Sequence, residues 1–221
     1  MGDAPTGIDL YWIPLGAGGR FVRLNGRIYE AIRSHLEGRP SCDLYHCALQ
    51  VHAAEDTYVI EMTPVGAADE DRGVVGVGPV GARWAGRLRM FRYELRRWLD
   101  GQIPDIGEAV ASPVHLSDDP LDARRLLELV PQVPMLTWGR DELGTGDMWN
   151  SNSQIAWLLT RAGLDAASLQ PPPGGRAPGW RAGLMAAEDL RALETGSSGS
   201  VLAGTASPSS SQIKRRKVTY R

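Results

Sequence analysis

Ser41–Val65 reads SCDLYHCALQVHAAEDTYVIEMTPV, two alternating runs on either side of the polar turn Ala53-Ala54-Glu55-Asp56. Period-two alternation marks half-buried strands, and a short polar break between two such runs predicts a β-hairpin. Pairing His52 with Thr57 puts Tyr45, Cys47, Leu49 and Val51 on one face with Tyr58, Ile60 and Met62. The other face receives His46, Ala48, Gln50 and His52 beside Val59, Glu61 and Thr63. A slip of one residue would mix the two sets, so the sorting selects the register. The first set predicts the core face. The second predicts a polar face, with Thr63 opposite His46 and Glu61 its diagonal neighbour.

Upstream of the hairpin, Ile28, Ile32 and Leu36 recur at helical spacing and predict a helix that Gly38 and Pro40 stop. Downstream, residues 66–86 read as a Gly-rich loop with a short strand around Val74 to Val77, and Arg87–Trp98 as a further strand with imperfect alternation. The stretch SDDPLDARRLLELVPQVP predicts a helix with Pro120 in its first turn, capped by Asp118 or Asp119 and closed by Pro131. A Gly-rich loop, TWGRDELGTGD, leads into MWNSNSQIAWLL, residues 148–159. There a second helix opens, with Ile155, Leu158, Leu159 and Ala162 as its buried stripe and Gly163 at its end. PPPGGRAPGW is a stiff connector, and Trp180–Ala187 reads as a last strand or a helix start. The pattern predicts an α+β domain over residues 1–194, an antiparallel sheet packed against helices. From residue 195 Ser and Gly dominate, and 195–221 is predicted to be a disordered tail ending in the basic Lys214-Arg215-Arg216-Lys217.

Length and composition allow one hydrophobic core: 221 residues, 43% hydrophobic and 23% charged, fit a globular domain. No apolar run reaches the roughly 18 residues of a membrane span, and no secretory signal opens the chain, so a cytoplasmic protein is expected. Cys42 and Cys47 would lie about 16 Å apart along a strand, beyond the roughly 7 Å that a disulfide allows. The letters Gly76-Val77-Gly78-Pro79-Val80-Gly81 match G-x-G-x-x-G, but no long helix follows, so no nucleotide cofactor is expected. No metal site is expected either. His46 and His52 are about 20 Å apart on a strand, while His35 falls on the first helix and His115 in a loop without a ligand cluster. Nucleic acid is disfavoured by a net charge of −2 and by the interleaving of the arginines of residues 83–97 with apolar residues.

Chemistry therefore falls to His46 and to the serines of the second helix start. Asn150 or Ser151 fits the N-cap position. A nucleophile fits the same place, because the first-turn amides stabilise developing negative charge. Glu61 is placed to orient the His46 imidazole.

The segments Leu44-Tyr45-His46-Cys47-Ala48-Leu49 and Asn150-Ser151-Asn152-Ser153-Gln154-Ile155-Ala156-Trp157-Leu158-Leu159 together resemble the permuted papain-like superfamily, which includes NlpC-type peptidases and lecithin:retinol acyltransferase-like proteins. In that group a strand histidine precedes a nucleophile at a helix start. The resemblance, over residues 10 to 187, implies a papain-like core in circularly permuted order and a cofactor-free hydrolase or acyl-transfer enzyme. Its substrate would be a small molecule or peptide, cleaved at an amide or ester. Ser151 stands where the family has cysteine. It would attack the carbonyl, His46 would move the proton and Glu61 would orient His46. Asn150 or Gln50 would complete the oxyanion site, and Trp138 to Trp149 would form a cleft wall. Because a serine needs an adjacent base to become nucleophilic, the alternative is an inactive papain-like module that binds a peptide or lipid fragment.

Overall fold

The computed structural model describes residues 6–15, 38, 40–65 and 73–199. The helix expected around Ile28–Leu36, with His35, lies outside the described residues, as does the tail from residue 200 on. By its contacts the chain divides into two compact units, Met1–Asp189 and Leu190–Arg221.

The hairpin sits at the centre of the first unit. Strands β2 (Asp43–Ala53) and β3 (Asp56–Pro64) pair in the register the alternation selects, His52 with Thr57 and Leu49 with Ile60. Around them the described residues form a seven-stranded sheet with β1 (Gly7–Pro14), β4 (Val74–Pro79), β5 (Arg92–Leu99), β6 (Val114–Ser117) and β7 (Gly175–Arg176). The path runs β4-β5-β3-β2-β1-β6, antiparallel throughout, with the two-residue β7 pairing in parallel beside β2. His115 thus belongs to a strand and not to a loop. The expected strand over Arg87–Trp98 begins only at Arg92, because two 3-10 turns, Arg83–Arg87 and Arg89–Phe91, take up the preceding residues.

Among the described residues three helices are present, α1 (Pro120–Leu129), α2 (Ser151–Ala162) and α3 (Trp180–Gly199), and α1, α2 and the start of α3 as far as Ala187 cover one face. Asp119 caps α1, accepting from the Leu121 N–H at 2.8 Å, and Pro120 takes N1, where no N–H is needed. Gly163 ends α2 in the left-handed region, φ +93°. α3 continues helical backbone through residues 195–199, where the sequence predicts the tail to begin.

The main core joins Ile8, Leu10 and Trp12 of β1, Cys47, Leu49 and Val51 of β2, Leu126 of α1, Ile155, Leu158 and Leu159 of α2 and Ala182 of α3. Each large side chain buried there contributes about 1.5–3 kcal/mol. The opposite face is not simply polar, as the hairpin alone predicts. Tyr11, Ile13, Ala48 and Val59 form a smaller core there, closed over by Ile103 and Ala109. β1 supplies two of its residues, and the alternation of GIDLYWIP becomes readable only once its neighbour in the sheet is known.

Candidate functional site

The start of α2 is built as a cap. Asn150 accepts from the Ser153 N–H at 3.2 Å, and the Asn150 N–H donates to Ser153 Oγ at 3.0 Å, a reciprocal capping box. Asn150 Nδ2 donates to the Pro178 carbonyl at 2.8 Å, and Asn152 Nδ2 bridges that carbonyl and the Tyr45 carbonyl of β2 at 2.9 Å. Ser153 Oγ lies 2.8 Å from the Gly179 carbonyl, and the Gly179 N–H donates to Asp147 Oδ2 at 2.8 Å. Ser151, the first helical residue, is buried. It precedes Ile155 by one turn, on the stripe that packs on the sheet.

His46 lies on the other side of that sheet. Its cross-strand partner is Ile13 of the smaller core, whereas Tyr45 and Cys47 on either side of it belong to the main core under α2. Strand alternation therefore sends the imidazole away from Ser151, and no hydrogen bond joins the two. Burial lowers the His46 pKa to about 4, with attraction from Asp105 opposing it in part. Cys47 does face the helices, but full burial raises its thiol well above the ordinary value. Neither cysteine is in a disulfide.

Glu61 shares the His46 face but is engaged elsewhere. It accepts from Arg96 of β5 at 3.3 Å, and Arg96 also binds Glu94 at 2.8 Å, with the Glu61 and Arg96 side chains about nine-tenths buried. Gln50 accepts from the Tyr11 hydroxyl at 3.1 Å on that same face, so it is no oxyanion donor for Ser151. Asn150 remains beside Ser151 but commits its amide to Pro178. The expected arrangement of Ser151, His46 and Glu61 is corrected on this geometry: the sheet separates the first from the other two.

The wall expected from Trp138 to Trp149 is a closed loop. Gly139 N–H donates to the Trp149 carbonyl at 2.8 Å, and Trp149 N–H to the Arg140 carbonyl at 2.9 Å. Trp149 is core and cannot touch a ligand; Trp138 packs edge-on against Tyr93, centroids 5.7 Å apart. The loop's polar residues line an open cleft of ≈ 470 Å³ made by Gly81, Ala82, Arg83, Thr137, Arg140, Asp141 and Glu142. Backbone N–H groups of Thr145 and Gly146 hold Asp141 below the usual carboxylate range. Glu142 is lowered first by Arg83, which binds it at 2.8 and 3.1 Å, and accepts from the Thr137 hydroxyl at 2.7 Å. The Arg140 Nε–H donates to the Gly81 carbonyl, which leaves the other guanidinium N–H groups facing no partner among the described residues.

One polar cluster is absent from the sequence reading. Asp9 accepts from His115 Nδ1 at 2.9 Å and stands 3.9 Å from His52 Nε2, while His115 Nε2 meets Asp118 at 3.0 Å and His52 Nδ1 meets Thr57 Oγ1 at 3.1 Å. Residues 106 positions apart meet there because β1 pairs with β6, a pairing with no local signal. Among the described residues no group of three or more His, Cys, Asp or Glu is arranged to hold a metal ion. Nor is any helix among them long and apolar enough to cross a membrane. In comparison with known proteins, no family model matches the chain, and no curated protein or solved structure does.

Proposed function

We propose that this chain is a papain-like domain in permuted order that works as a binding module without a nucleophile, and that its ligand is a peptide held in the cleft beside the 138–149 loop. Direct packing of the His46 strand against the helix that opens with Ser151 supports the papain-like reading. The observation that carries the non-catalytic reading is the placement of His46 and Ser151 on opposite faces of the sheet. A serine hydroxyl without a base in reach stays protonated and does not attack a carbonyl. The cleft favours a peptide over a lipid fragment because it offers charge of both signs on fixed groups: Arg140, oriented by Gly81, and the carboxylates of Asp141 and Glu142.

A serine-directed fluorophosphonate, applied to the native chain and to Ser151→Ala, tests the reading. The expected result is equal background labelling of both. Labelling of Ser151 that disappears in His46→Ala would restore the enzyme reading. In parallel, peptides retained by the immobilised native chain should be lost by Arg140→Glu. Retention by that variant would take the cleft out of the proposal.

A further inference from the structure

Between β4 and β5 the chain rises into a ridge, Arg83-Trp84-Ala85-Gly86-Arg87-Leu88-Arg89-Met90-Phe91, made of the two 3-10 turns. Its large apolar side chains point outward. Trp84 is 73% exposed, Met90 78%, Leu88 52% and Phe91 40%, and Ala85 alone is buried. Large apolar side chains gathered on one short convex element mark an interaction surface, where the same residues scattered singly would not.

Much of the ridge's backbone is paired within the ridge or by Arg92. The carbonyls of Ala82, Ala85 and Leu88 accept from Ala85, Leu88 and Phe91, the Arg89 carbonyl from the Arg92 N–H, and those of Gly86 and Arg87 from the Arg92 guanidinium at 2.6 and 3.3 Å. A crest with its carbonyls paired in this way can leave water without orphaning them, the condition for entering the edge of a hydrocarbon layer.

Charge identifies the surface it meets. Residues 83–92 hold four arginines and no acid. Arg83 is already bound by Glu142, yet the segment stays positive, with Arg87 and Arg89 exposed among the apolar side chains. Tryptophan beside aliphatic side chains, flanked by arginine, is the composition that binds the headgroup boundary of an anionic bilayer. The basic Lys214–Lys217 segment carries the same sign, so charge does not draw it onto the ridge.

We infer that the 83–91 ridge is a peripheral membrane anchor, which inserts Trp84, Leu88 and Met90 at the surface of anionic lipid with Arg87 on the headgroups. This is independent of the ligand proposed for the cleft.

Vesicle sedimentation with the full chain tests it. The native protein should pellet with vesicles of phosphatidylcholine containing about one third phosphatidylglycerol, should stay in solution with phosphatidylcholine alone, and should be released as salt rises. The double variant Trp84→Ser, Met90→Ser should lower binding at least about tenfold, and Arg87→Glu should weaken it by a similar factor. Both leave thermal unfolding unchanged, because the altered side chains are exposed. Brominated acyl chains should quench tryptophan fluorescence in the native chain and much less in Trp84→Phe, which separates the ridge from the basic tail as the point of contact. Failure to pellet with anionic vesicles, or binding that neither variant changes, would overturn the inference. So would a dimer in light scattering that the double variant dissociates, with no change in lipid binding.

Discussion

At Asn150 one side chain caps α2, ties the 178–179 turn to it and pairs with Ser153, so the residue after it cannot shift alone. Gly179 completes the joint. Its φ is +90°, and a β-carbon there would lie 2.2 Å from Asn150 Oδ1. Gly179→Ala therefore combines a left-handed backbone with loss of the cap, and should lower stability by about 2 kcal/mol or more in urea denaturation. An unchanged midpoint would mean that the turn gives way freely. The capping half of this joint is legible in the sequence, where NSNS precedes an apolar stripe. The tie to Pro178 is not, because it joins residues 28 positions apart with no shared pattern.

α3 and α2 meet backbone to backbone at Gly183. A β-carbon on Gly183 would stand 2.1 Å from the Ser153 carbonyl oxygen and 2.8 Å from the Ala156 β-carbon. Helix propensity alone favours Gly183→Ala by about 1 kcal/mol. Contact with backbone reverses the sign, and the variant should lose about 1–3 kcal/mol in the same assay. A gain would show that α3 can lift off without loss. Among the elements, the hairpin, the starts of α1 and α2 and the end of α2 could be read directly, since each depends on local alternation, a cap or a glycine. β6 could not, since its alternation of Val114 and Leu116 with His115 and Ser117 runs for only four residues, too short to stand out from a loop. The failure of the proposed dyad was also readable. The face sorting that selects the hairpin register assigns His46 to the side opposite the main core, and the apolar stripe of α2 must cover the main-core side.

For the whole molecule, pH dependence follows from histidines acting in opposite directions. His46 is held near 4 in the fold against about 6.5 when unfolded, so the unfolded chain binds more protons between those values. The stability linked to its neutral form is present above about pH 6.5 and is lost as pH falls towards 4, on the order of 2–3 kcal/mol. The hydrogen bond that His115 donates to Asp9 raises its pKa, so its contribution is present below the unfolded pKa and fades as pH rises through the folded one. Unfolding midpoints between pH 7.5 and 4.5 should fall with acid in the native chain and much less in His46→Phe; equal slopes would refute the assignment. The seven-stranded sheet also makes odd and even positions along β2 two separate addresses. A single residue inserted or deleted just ahead of His46 would exchange them, carrying the imidazole to the helix side and Cys47 to the other. In this architecture a reactive pair is made or erased by a change in parity, with every residue type left as it was.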